Sequence, residues 1–350
     1  MSPLGEKIRE SLGAWSAPPG WLRISTLDAH TGGEPLRVIV SGYPELEGKT
    51  ILERRRCALE HYDHLRTALL WEPRGHREMY GCIVTPPVSE GSDFGVLFLH
   101  NEGYSSMCGH GIIAIATVAV QTGLVRALEP ETTLRIDSPA GLITATATVR
   151  SGVVTGVRFQ NVPSFVLALD RTLDVPGLGP IRYDLAFGGA FYAYVQADQL
   201  GLRCLAEEIP KMVELGMKIK RAVMKAQPIE HPFEKELGFL YGTIFIAPPL
   251  GKADSRNVCI FADGEVDRSP TGTGVSGRLA IHVARKEIRI GQPLVIESVI
   301  GTRFTGRALA TTTCGPYEAV IPEVSGTAHI TGRHEFVIDP NDPLRNGFMV

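Results

Sequence analysis

Two segments in different halves of the chain share one local design: a small side chain with a nucleophilic atom, then Gly-x-Gly, directly before a helix-like run. The first is Met107-Cys108-Gly109-His110-Gly111, leading into Ile112-Ile113-Ala114-Ile115-Ala116-Thr117-Val118-Ala119-Val120. The second is Ser269-Pro270-Thr271-Gly272-Thr273-Gly274, leading into Val275-Ser276-Gly277-Arg278-Leu279-Ala280-Ile281-His282-Val283. Upstream, Asp28-Ala29-His30-Thr31-Gly32-Gly33 is echoed by Asp184-Leu185-Ala186-Phe187-Gly188-Gly189. Similar offsets in the same order point to a duplicated half, with one active residue contributed by each copy. A chain of 350 residues is long enough for two such units, each with its own core.

The spacing of apolar residues fills in the same order twice. In the first half, strand signals at 22–26 and 36–40 precede an amphipathic helix at 53–70, with Ala58, Leu59, Tyr62, Leu65 and Leu69 at helical spacing. Strands follow at 81–84 and 95–100, then the Cys108 segment, then strands at 134–137, 142–149 and 153–161. In the second half, a strand at 192–196 and a helix at 207–226 precede strands at 242–247 and 258–261 and the Thr271 segment. Strands at 294–298, 303–311, 317–322 and 327–336 complete the chain. The helix after Gly111 is apolar nearly all round, which predicts full burial. The natural architecture is α+β: two pseudo-symmetric β-rich domains, each wrapped around a central helix, with the active site in the cleft between them. Residues 1–20 read as a flexible N-terminal arm, 21–160 as the first domain, completed by 335–350, and 161–334 as the second.

Composition narrows the partners. A net charge of −3 gives no basic footprint for nucleic acid. Six cysteines without a Cys-x-x-Cys pair are too sparse for a disulfide scaffold and point to a reducing, cytoplasmic setting. The longest apolar stretch is about half of a membrane span, and the charged amino terminus lacks a signal core. The expected partner is a small molecule.

At the motifs themselves, a cysteine just before a helix meets unpaired N–H groups and the positive end of the helix dipole, which lower its pKa. A lone Cys among apolar residues is ordinarily a core residue; the flanking glycines, which admit close backbone approach, and the matched Thr271 segment favour a functional Cys108. His110 can serve as general acid, orienting group or helix cap. Asp267 fits equally an ordinary turn or an anchor for a substrate ammonium. Gly272-Thr273-Gly274-Val275-Ser276-Gly277 has Gly-x-Gly-x-x-Gly spacing, but Asp267-Arg268-Ser269-Pro270 stands where a strand should close, so a nicotinamide site is set aside. No His-Glu-x-x-His or Cys-x-x-Cys spacing supports a metal, and none is expected. Cys57, Cys82, Cys204, Cys259 and Cys314 carry no motif and read as structural.

The Met107–Gly111 and Asp267–Gly274 segments, together with His30-Thr31-Gly32-Gly33-Glu34-Pro35-Leu36-Arg37-Val38, resemble the proline racemase family over roughly residues 22–340. The resemblance implies a diaminopimelate-epimerase-like fold with two helix N-termini facing each other across the cleft, cofactor-independent chemistry, and often a homodimer. It makes Cys108 a catalytic base, puts Gly109, His110, Gly272 and Thr273 on the substrate, and gives Asp267 the ring nitrogen.

One departure decides the expected reaction. Racemases of the family have a cysteine where this chain has Thr271, whose hydroxyl has a far higher pKa and no activating neighbour in sequence. Members with this Cys/Thr pair resemble trans-3-hydroxy-L-proline dehydratases, which are hydro-lyases. Stereochemistry agrees: in that substrate the α-hydrogen and the 3-hydroxyl share a face, so loss of water is syn and one base suffices. The expected product is Δ1-pyrroline-2-carboxylate, the hydroxyl leaving with a proton from His110 or the newly protonated Cys108. The rival readings are a proline or 4-hydroxyproline racemase or epimerase, and a catalytically silent amino-acid-binding protein of the same fold.

Overall fold

A computed structural model describes residues 3–350. Within the stretch expected to be a flexible arm, Pro3–Gly13 forms α1, whose Leu4, Ile8 and Leu12 are exposed. β1 (Leu22–Thr31) and β2 (Glu34–Ser41) form a hairpin turned by Gly32 and Gly33, both at positive φ, which glycine adopts without strain. α2 (Ile51–Leu70) starts at a capping box, Thr50 accepting from the Glu53 N–H while the Glu53 carboxylate accepts from the Thr50 N–H. Ala58, Leu65 and Leu69 of its predicted apolar face are buried, whereas Leu59 is exposed. β3 (Tyr80–Thr85), β4 (Phe94–His100) and the short β5 (Gly103–Ser105) lead into α3 (Gly109–Gln121). β6 (Glu131–Ser138), β7 (Gly141–Arg150) and β8 (Val153–Gln160) then form an antiparallel meander.

The second half repeats the plan. β9 (Ser164–Val175) and β10 (Gly179–Phe187), long strands without a clean alternating pattern, precede a Gly188-Gly189 turn and β11 (Phe191–Gln196). α4 (Ile209–Ala226), with proline in its first turn, buries Met212, Met217 and Ile219. β12 (Leu240–Ala247), β13 (Ser255–Phe261) and β14 (Glu265–Asp267) lead into α5 (Gly272–Ala284). β15 (Leu294–Glu297), β16 (Arg303–Cys314) and β17 (Tyr317–Gly326) follow. The last strand, β18 (Ala328–Ile338), pairs antiparallel with β1 from Leu22↔Ile338 to Thr31↔Ala328. The chain therefore returns to the first half at residue 328. The halves also share sheet edges, β17 pairing with both β8 and β9.

The expected central helices are present. Every residue of α3 from Gly109 to Val120 is buried, and α5 is buried from Gly272 to Ile281. Burial of this kind is the main stabilising term, at roughly 25 cal/mol per Å² of apolar surface. Ion pairs inside the β layers are fully engaged: Arg37 bridges Asp28 and the Leu69 and Arg74 carbonyls, and Arg256 pairs with Glu297 at 2.8 Å. Among the described residues, no helix is long and apolar enough to cross a membrane.

Candidate active site

Because each helix begins with a Gly-x-Gly that carries no bulk, the N-termini of α3 and α5 meet head-on. A Cβ at Gly109 would lie 2.6 Å from Gly272 Cα, and one at Gly272 would lie 2.8 Å from Gly109 Cα. Beside this contact is a narrow cavity of about 20 Å³. It is lined by Cys108, Gly109 and His110 from one half and by Asp267, Thr271, Gly272 and Thr273 from the other, so all the site residues anticipated from sequence converge there. The two helix dipoles point their positive ends at it, and the N–H groups of Gly109 and His110, preceding the first intrahelical bond, are free to take an anion.

The two caps differ in kind. Cys108 caps α3 from an extended backbone (φ −142°), its sulfur accepting from the Gly111 N–H at 3.2 Å and lying 3.2 Å from His110 Nδ1. Thr271 caps α5 at φ 64°, a left-handed conformation strained for a β-branched residue. Its hydroxyl lies near Asp267 and Cys259 yet makes no hydrogen bond of ordinary geometry. Nothing beside it is basic enough to ionise an aliphatic hydroxyl.

Electrostatics in the cleft run against the expected thiolate. Burial pushes the Cys108 thiol well above its ordinary value; the Gly111 N–H and the Tyr80 hydroxyl pull it down but are outweighed, and the Asp267 and Glu34 carboxyls add to the rise. Burial holds His110 neutral, with a pKa of about 3. Asp267, also buried, is raised to about 6 despite the Ser269 N–H donating to it at 2.8 Å. Both groups are thus held toward their neutral forms, a thiol beside an imidazole.

Sequence reasoning missed the rest of the lining: Tyr80, Tyr192, Tyr241 and Phe261, which stand in no motif, and Cys259, read as structural. Cys259 sits opposite Asp267 in the β13–β14 ladder, on the same face of the sheet, and so borders the cavity. The readable signal was a second repeat, Tyr80-Gly81 recurring as Tyr241-Gly242 at the start of equivalent strands. Glu34, within the His30–Val38 segment, is buried and accepts from the Arg268 N–H at 2.8 Å, tying the β1–β2 hairpin to the Asp267 segment. Thr31 donates to the His110 carbonyl at 2.9 Å and fixes the start of α3.

Comparison with known proteins agrees with this geometry. A protein of Colwellia psychrerythraea named trans-3-hydroxy-L-proline dehydratase is 49% identical over 331 residues, 94% of this chain and 93% of that one. A 3-hydroxyproline 2-epimerase of Burkholderia multivorans is 46% identical, covering 93% of this chain and 98% of its own. A solved hydroxyproline epimerase from Agrobacterium vitis, with bound trans-4-hydroxy-L-proline, superposes with a TM-score of 0.89 at 32% identity over 94% of this chain and 96% of that one. Residues 26–349 match the proline racemase family. Two facing helix starts with a thiol on one of them, set in a duplicated β-rich fold of that same plan, identify the chain as a member of the proline racemase family.

Proposed function

We propose that this chain is a hydro-lyase that converts trans-3-hydroxy-L-proline to Δ1-pyrroline-2-carboxylate. The observation that carries the reading is the asymmetry of the two caps: a thiol with an imidazole at 3.2 Å on α3, and on α5 a threonine hydroxyl without a base. A two-base racemase needs an ionisable group on both faces; a syn elimination needs one.

Substrate brings the charges that shift this balance. Its carboxylate goes to the helix starts, where the Gly109, His110, Gly272 and Thr273 N–H groups are oriented before enolate charge develops. Its secondary ammonium goes to Asp267, which then ionises fully. That cation, a few ångströms from Cys108, favours the thiolate and acidifies the α-hydrogen. Cys108 removes the α-proton, the 3-hydroxyl departs from the same face, and the enamine tautomerises to the pyrroline. The chemistry uses side chains and backbone amides of this chain. We further propose that the protein is cytoplasmic and acts as a homodimer.

Proton NMR in D2O with trans-3-hydroxy-L-proline, L-proline and trans-4-hydroxy-L-proline tests the reading. Pyrroline carboxylate from the 3-hydroxy compound alone, abolished by Cys108→Ser, is the expected result. Cα deuteration of proline or 4-hydroxyproline with the ring hydroxyl retained would establish an epimerase instead.

A further inference from the structure

The elimination just described leaves one group unassigned: the acid that protonates the departing hydroxyl. Since hydrogen and hydroxyl leave from one face, that acid must stand on the Cys108 side of the cavity. His110 is poorly suited. Its Nδ1 and Nε2 lie 3.2 and 3.6 Å from the Cys108 sulfur and the ring also approaches the Pro35 carbonyl, so the single N–H of a neutral ring is contested by two acceptors on this side. Tyr192 is tied to Thr273 on the opposite helix start at 2.7 Å.

Tyr80 is differently placed. It lines the cavity, packs edge-on against His110 with ring centroids 4.8 Å apart, and its hydroxyl approaches the Cys108 sulfur. The same hydroxyl is hydrogen-bonded to Ser105 Oγ, which in turn bonds the Tyr241 hydroxyl at 2.8 Å. Tyr80 and Tyr241 open equivalent strands of the two halves and meet across the cleft, so the fold alone would make them interchangeable. Ser105, two residues before Met107, breaks the equivalence. With Tyr241 donating to Ser105 and Ser105 to Tyr80, every hydroxyl proton in the chain points toward Cys108, and the Tyr80 oxygen is supported if it becomes phenolate.

Resting on the dehydratase reading, we propose that Tyr80 is the general acid of the elimination, with Ser105 and Tyr241 as its positioning residues. The Cys108 thiolate takes the C2 proton and forms S–H, leaving the C–H electron pair on the carbanion. That pair becomes the C2=C3 bond as the C3–O bond breaks. The oxygen leaves with the bonding electrons and takes the Tyr80 phenolic proton to form water. The Cys108 S–H then returns a proton to the Tyr80 phenolate, which regenerates both groups without an outside donor.

A leaving group that needs no proton separates this role from a structural one. Tyr80→Phe should slow water loss from trans-3-hydroxy-L-proline by about 10²- to 10⁴-fold, the ordinary range for a general acid. Fluoride release from trans-3-fluoro-L-proline should fall far less, by only the part that the Tyr80 pull on the Cys108 thiol contributes to both eliminations, and Ser105→Ala should show the same selectivity with a smaller loss. The hydroxy substrate deuterated at C2 gives a second reading: in Tyr80→Phe, C–O cleavage becomes limiting and the isotope effect on kcat falls toward unity. Equal loss of both eliminations, or an isotope effect that persists or grows, means that Tyr80 only holds Cys108 and overturns the proposal. Undiminished water loss in Tyr80→Phe overturns it as well. If the parent protein itself fails to dehydrate the hydroxy substrate, the dehydratase reading is what falls.

Discussion

Gly109→Ala adds one methyl group at the point where the two helix starts touch, and the consequence can be worked from distances. The new carbon would lie 2.6 Å from Gly272 Cα, 3.0 Å from Gly272 C and 3.2 Å from Thr273 N, all backbone atoms. Carbon atoms rest at about 3.5–4.0 Å, so α3 and α5 must part by roughly 1 Å. Both helices are sheathed in sheet and packed densely, so neither can yield by a local rotamer change. Overpacking of this kind costs about 1–3 kcal/mol, and better helix propensity returns up to about 1 kcal/mol, leaving a melting temperature only a few degrees lower. Catalysis should suffer far more, because the same gap sets the distance from carboxylate-binding amides to thiol; a misplacement of about 1 Å can lower the rate about 10²-fold. Initial dehydration rates by NMR, alongside thermal unfolding, give both numbers. A Gly109→Ala protein with kcat/KM within about threefold of the parent would refute the idea that this contact sets the site.

Thr271→Cys puts a second thiol across the cleft, so Cα deuteration of L-proline in D2O should appear where the parent protein gives none. Asp267 should govern the acid limb of substrate binding: below its pKa of about 6 the carboxyl is neutral, and KM should rise about tenfold per pH unit. Its folded pKa exceeds the unfolded value of 3.8, so the stability it contributes is present in acid and is lost as pH rises through about 6. Asp267→Asn should therefore recover up to roughly 3 kcal/mol at neutral pH in urea unfolding while abolishing tight substrate binding. Glu297→Ala should destabilise by about 3–5 kcal/mol in the same assay, since it strands the Arg256 guanidinium, which is 1% exposed; replacing both residues by apolar ones should restore most of the loss.

The helices that matter were legible because their signals are local. Gly-x-Gly marks a bare helix start in both halves, the apolar run after Gly111 specifies full burial of α3, and Thr50 with Glu53 marks the start of α2 only two residues before the predicted bound. β9 and β10 went unread because their exposure does not alternate cleanly: Ser164–Val175 runs from buried through half-buried to exposed and back to buried at Val175, which follows tertiary packing and not residue order. Cys108, His110, Asp267 and Thr271 stand in motifs, so their convergence could be expected. Tyr80, Ser105 and Tyr241 are brought together by pairing between distant strands, and an aromatic residue at a strand start looks the same whether it faces a core or a cavity. The thiol's ionisation was misjudged for a related reason: the helix end pulls its pKa down locally, but the surrounding protein, invisible in the segment, excludes water and pushes it up.

The pairing of β1 with β18 has a consequence for how the polypeptide is made. As the chain emerges from the ribosome, β1 is among the first strands available and its partner is the last. Until residue 338 is out, one edge of β1 has no neighbour along ten registered positions. The sheet around the Cys108 helix therefore stays unfinished while the Thr271 half, complete at β17, can already close. Synthesis order is thus inverted with respect to assembly, and the nascent protein carries an open, sticky edge for most of its translation. The early β1–β2 hairpin covers only the other edge of β1, so ending the chain before Ala328 should produce aggregates as well as a loss of activity.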